Sequence, residues 1–155
     1  MTSLDISARE SAIDDYDFSF VYEKMRMEGT LPTDSLNKVE EEFKKFLKLL
    51  LVEDGPLAML DRRVDNLWHT FILFTPQYQS FCSSVMGFFV HHQPRTSRTP
   101  VPIAAIMNFV NAYKRRYGEF NSFWTDLLDT DLKANIAAGS VSETTSFNWS
   151  GWTGR

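Results

Sequence analysis

The sequence predicts an all-α fold, a compact single-domain bundle of about five helices. Three observations carry that expectation. Apolar residues recur at steps of three and four along most of the chain, no segment alternates convincingly at period two, and Gly and Pro fall where helices would stop and start. With 155 residues, 43% of them hydrophobic and thirteen of them Phe, the chain has the material for a bulky aromatic core.

Residues 1–13 are polar and are expected to form a flexible N-terminal segment, with the helical domain over 14–136. From Asp14 or Asp15, a good N-cap residue, Phe18, Val21, Tyr22 and Met25 recur at helical spacing until Gly29. After Leu31-Pro32-Thr33-Asp34, the residues Leu36, Val39, Phe43, Phe46, Leu47 and Leu50 mark a second helix with one buried face. Glu40, Glu41, Glu42, Lys44, Lys45 and Lys48 fill the opposite side, which is expected to be solvated and laced with Glu–Lys pairs. Glu53-Asp54-Gly55-Pro56 breaks it. A third helix from about Asp61 carries Val64, Leu67, Trp68, Phe71 and Ile72 on one side.

Thr75-Pro76 reads as a helix restart, a capping hydroxyl followed by proline at the first helical position. The fourth helix then presents Tyr78, Phe81, Cys82 and Val85 up to Gly87. Phe88-Phe89-Val90 is a candidate for a short extended piece. Pro102 opens a fifth helix with Ile106, Phe109, Val110, Tyr113 and Tyr117, closed by Gly118, and residues 126–136 are expected to form a short last helix. From residue 137 onward the composition shifts to a Gly/Ser/Thr tail with Trp149 and Trp152.

Charge and composition exclude several classes. A net charge of −4 and a pI near 5.3 argue against a general nucleic-acid binder. No apolar run approaches the ~20 residues of a membrane span, and Met1-Thr2-Ser3-Leu4-Asp5 lacks a signal-peptide pattern. One cysteine fits a reducing compartment. A soluble, cytoplasmic protein is the expectation.

The chemistry-bearing residues are crowded. All three histidines and the single cysteine lie between His69 and His92. Asp65 and His69 are four apart on a helix and share a face. Cys82 lies on the next helix across the Thr75-Pro76 turn, about as far from it as His69, so the two can face each other. His91 and His92 follow at the far end. A metal site from His69, Cys82, His91 and His92, with Asp65 orienting an imidazole, is therefore expected, and the mixed nitrogen and sulfur set suits zinc. The plainer alternative stays open beside it: a buried cysteine acting as a small hydrophobe, and a histidine hydrogen-bonded next to a core tryptophan. A nucleophilic Cys–His pair is disfavoured, because Cys82 sits two turns into its helix with no Gly-rich turn before it. Phosphate loops, nucleophile elbows and zincin motifs are absent.

The pattern Val64-Asp65-x-x-Trp68-His69, then Leu73-Phe74-Thr75-x-x-Tyr78, Phe81-Cys82, Gly87 and His91-His92-x-Pro94, resembles the glycine-rich domain-containing protein-like family and its small bacterial relatives. Phe43-x-x-Phe46-Leu47 before it, and Tyr113, Tyr117-Gly118 and Phe123-Trp124 after it, fit more loosely. The resemblance implies a compact helical domain with His69, Cys82, His91 and His92 as signature positions. It implies no reaction, and the chain lacks that family's glycine-rich segment.

Three functions are expected from these residues. The first is a non-enzymatic, zinc-stabilised helical protein acting through a protein partner or self-association, with Trp149 and Trp152 as anchors; its size is compatible with an accessory protein of a virus or phage. The second is a metal-dependent hydrolase using the same cluster, with Asp65 as base. The third is an RNA-binding module using Arg95, Arg98, Arg115 and Arg116 beside Tyr113 and Tyr117.

Overall fold

In a computed structural model, which describes residues 3–32, 36–93, 98 and 102–125, the chain is helical, with no strand among the described residues. Seven α-helices stand among the described residues, against the expected five or so. The described residues fall into two compact units, those of 3–52 with 62–90, and those of 53–61 with 91–125.

The first unit holds α1 (Ser3–Asp14), α2 (Ser19–Met27), α3 (Leu36–Val52), α4 (Arg62–Leu73), α5 (Thr75–Phe81) and a π-helical turn, Cys82–Met86. Helices α3 and α4 pack together, α2 packs on α4, and α1 packs on α3 and on the π turn. The expected spacings are the buried ones: Val39, Phe43, Phe46 and Leu47 of α3, and Val64, Leu67, Trp68 and Phe71 of α4, are all at most 1% exposed. Phe71 is the hub of the core. Its ring meets those of Tyr16, Phe18, Phe20, Tyr78 and Phe81, with centroids 5.1–6.1 Å apart. Pairs at such separations add about 0.5–1.5 kcal/mol each beyond the burial of their area.

Helix α1 corrects the expectation of a flexible N-terminus. Its apolar stripe is thin, which hid it from periodicity, and polar side chains do much of the holding. Arg9 donates to the Val85 carbonyl at 2.8 Å and pairs with Asp5. At the other end Lys44 donates to the Asp14 carbonyl and Lys48 pairs with the Asp14 carboxylate, placing cations where the helix dipole is negative. The charged side of α3 is therefore not simply solvated surface. Glu42 is wholly buried and lies 2.9 and 3.0 Å from the ammonium groups of Lys38 and Lys45.

Helix α2 starts after Phe18, with the Asp17 carboxylate accepting from the Ser19 N–H and hydroxyl. These bonds hold the Asp17 carboxyl below its usual range. Helix α5 begins one residue earlier than expected, with Phe74 in the capping position and Pro76 inside the first turn.

The second unit is built on α6 (Ile103–Tyr117), which starts after Pro102 and ends at Gly118 as expected, and on α7 (Ser122–Thr125). Ala58, Ala105, Ile106 and Val110 form a small cluster with Leu60 and Phe120, and the Ala58 N–H donates to the Ala105 carbonyl. Phe109, Tyr113, Phe120 and Trp124 form a second aromatic group, the Phe109 and Trp124 centroids being 4.7 Å apart. The helix expected over 126–136 and the tail over 137–155 lie outside the described residues.

Candidate functional site

Helix α4 buries one face, and that choice decides what its flank presents. With Val64, Leu67, Trp68 and Phe71 turned into the core, Asp65 and His69 fall together on the adjoining side. The His69 Nδ1 atom lies 3.7 Å from the Asp65 Oδ2, and the two side chains are 45% and 30% exposed. An imidazole nitrogen and a carboxylate oxygen thus stand side by side and within reach of water. That is the donor pair a borderline divalent cation takes.

Behind this pair runs a buried chain of hydrogen bonds. The Trp68 Nε1–H donates to the Tyr78 hydroxyl at 3.1 Å, and the Tyr78 hydroxyl donates to the Val90 carbonyl at 2.5 Å. The Val90 N–H in turn donates to the Cys82 Sγ at 3.5 Å. The π turn makes this possible. Its extra residue per turn carries the chain past Cys82 to Gly87, whose φ of +80° reverses direction and whose N–H closes onto the Cys82 carbonyl at 2.8 Å. A left-handed residue of this kind favours glycine, and π turns recur at functional positions. Burial pushes the Tyr78 hydroxyl above its ordinary ionisation range, with the Trp68 N–H working the other way. Burial likewise raises the Cys82 thiol, opposed by the Val90 N–H. Cys82 accordingly remains a neutral thiol at neutral pH.

The expected site residues are therefore distributed as follows. Asp65 and His69 are together on α4. Cys82 is in the same unit, 1% exposed, with its sulfur accepting the Val90 N–H. His91 and His92 open the second unit immediately after Val90; His91 is exposed and His92 half-buried. Trp68 and Tyr78, assigned only to the core by periodicity, contribute the polar chain behind the pair. The hint in the sequence was their polar tips, since a buried indole or phenol needs a partner.

Of the basic residues, Arg115 lies 2.7 Å from the Glu53 carboxylate and Arg116 stands over the Tyr117 ring. Arg98 is exposed. Arg95, Trp149 and Trp152 lie outside the described residues. Among the described residues, no helix is long and apolar enough to cross a membrane.

Residues 8–100 match the family described as UCP032817-like. This match overturns the resemblance to the glycine-rich domain-containing protein-like family. The stretch that carried that resemblance, Val64 to Pro94, lies wholly inside the matched residues. Its aromatic positions serve a packing corner, Trp68 with Tyr78 and Val90, that a helical core of another family can equally use. No curated protein and no solved structure matches the chain.

Proposed function

The chain belongs to the UCP032817-like family, and we propose that it is a helical binding protein that holds one divalent ion of the zinc class through Asp65 and His69. The observation that carries this reading is the Asp65–His69 pair, two ligand types offered on one helix face with their atoms open to solvent.

Cys82 is left out of the ligand set, because it is buried and its sulfur already accepts the Val90 N–H.

In this reading the ion stabilises the fold by binding the native chain alone, and the protein works through a macromolecular partner, with Trp149 and Trp152 as its anchors. The openness of His69 favours a second reading. A ligand set that leaves one coordination position for water is the arrangement of a hydrolytic metal site.

The test is metal content and zinc titration of the purified chain. One equivalent of zinc, lost in Asp65→Ala and His69→Ala and retained in Cys82→Ser, is the expected result. A wild-type chain that takes up no zinc overturns it. Hydrolysis of model esters by the zinc-loaded protein, abolished in His69→Ala, would favour the enzymatic reading over the binding one.

A further inference from the structure

Helix α1 is fastened to the first unit differently from its neighbours. Helices α3 and α4 bury broad apolar faces, whereas Ile13 is the one wholly buried side chain among those described on α1, with Ile6 half-buried. Charged groups hold α1 at two points. At its middle, the Arg9 guanidinium pairs with Asp5 and donates to the Val85 carbonyl at 2.8 Å. At its end, Lys44 donates to the Asp14 carbonyl at 2.7 Å, and Lys48 lies 2.6 Å from the Asp14 carboxylate, which is 55% exposed. Exposed ionic contacts are screened by salt and individually weak. Segments with few buried apolar groups open before the rest of a domain does.

The Arg9 contact also serves the π turn. The last carbonyls of a helix find no partner inside it, and Val85 is the penultimate residue of the turn. Arg9 supplies the missing donor from another helix. Its guanidinium also covers the chain reversal, since a Cβ on Gly87 would stand 2.6–2.7 Å from it. The bond that closes the turn, from the Gly87 N–H to the Cys82 carbonyl at 2.8 Å, lies beside this contact.

We propose that α1 is a charge-latched strap that lifts as one body while the rest of the first unit stays folded, and that its lifting unlocks the π turn. Strap and turn then form one two-state element that ionic strength biases. Asp65 and His69 take no part in it, so it stands apart from metal binding.

The experiment is amide hydrogen exchange of the whole chain followed by NMR, at low salt and at about tenfold higher salt, in wild type, Arg9→Met and Lys48→Met. Lys24→Met, which removes an ion pair within α2, is the control. In wild type the α1 amides should exchange faster than that of Phe71 in α4. They should speed up about two- to fivefold at high salt and in Lys48→Met, and about tenfold or more in Arg9→Met, which leaves the Val85 carbonyl without its charged donor. The Gly87 amide should follow α1 by the same factor each time, although Lys48 holds the end of α1 away from the turn. Phe71 and the Lys24→Met chain should not change. Amides of α1 as slow as Phe71 in wild type, or without protection at low salt, overturn the strap. Indifference to salt overturns the charge latch. A Gly87 amide unmoved in Lys48→Met while α1 speeds up overturns the coupling to the turn. Should Arg9→Met not fold, Lys48→Met and the wild-type salt series decide.

Discussion

The two units bury aromatic clusters of similar make-up and use them differently. In the first unit the Phe71 cluster is continuous with a polar chain, Trp68 to Tyr78 to Val90 to Cys82, in which each buried donor meets an acceptor. In the second, Phe109, Tyr113, Phe120 and Trp124 pack ring against ring. The Tyr113 hydroxyl has a long contact of 3.4 Å from the Asn121 amide, and the Asn121 Oδ1 is buried with no partner among the described residues. An aromatic core needs only volume and shape, which ring packing supplies in both units. A polar chain also needs each atom aimed, and the first unit meets that demand from Trp68 to Cys82.

That contrast breaks most sharply under deletion of each hub. Phe71→Ala and Trp124→Ala should each cost about 3–5 kcal/mol in denaturant unfolding, since both side chains are fully buried. Only Phe71→Ala should also weaken zinc binding. Equal loss of zinc in both variants would show that the site does not depend on the first unit's core in particular. Next in size, Tyr78→Phe should cost about 2 kcal/mol, because it strips partners from a buried indole N–H and a buried carbonyl. Tyr113→Phe removes the long 3.4 Å contact from the Asn121 amide and should cost less than Tyr78→Phe. Similar costs for the two would erase the distinction.

The π turn gives a smaller and more local comparison. A Cβ on Gly87 would come within 2.6–2.7 Å of the Arg9 guanidinium, and φ there is +80°. Gly118 has φ of +85° with nothing within 4 Å. Gly87→Ala should therefore carry the left-handed backbone penalty of about 1–2 kcal/mol and a clash besides. A double-mutant cycle with Arg9→Ala should recover the clash and leave the backbone part. An additive cycle would mean that Arg9 yields freely and that α1 is only loosely fastened there.

The smallest effect is on pH dependence, and it concerns the first unit. Burial raises the ionisation of the Cys82 thiol and of the Tyr16, Tyr22 and Tyr78 hydroxyls, with Glu40 adding to the rise at Tyr22. The unfolded chain gives up these protons first as pH rises. The stability they contribute is full below the unfolded values, about 8.5 for the thiol and 10 for tyrosine, and is lost as pH climbs past them toward the folded ones. Unfolding free energy should thus fall between pH 7 and 10, and alkylation of Cys82 at pH 8 should be slower in the native chain than in urea. Flat stability over that range, or native alkylation as fast as unfolded, would refute the buried-thiol picture.

Much of the helical frame was legible because burial follows a 3.6-residue period. Leu36 to Leu50, Val64 to Phe71 and Ile106 to Tyr117 are helices for the reason their spacing states, and Gly29, Gly87 and Gly118 all lie at positive φ near helix ends. Helix α1 escaped because its side chains are held by Arg9, Lys44 and Lys48, long-range polar contacts that leave no periodic trace. Glu42 escaped for the same reason: a carboxylate on a charged stretch reads as surface until two lysines and a packed neighbour close over it.

By itself, then, the sequence determined that this chain is all-α, where most of its helices run, and that Asp65 and His69 share a face, since each of these follows from local periodicity along the backbone. Tertiary structure alone decided that Cys82 turns its sulfur to a backbone N–H, that Tyr78 links Trp68 to Val90, and that α1 belongs to the core. Those outcomes depend on which atoms meet across distant turns, and a one-dimensional pattern holds no record of direction.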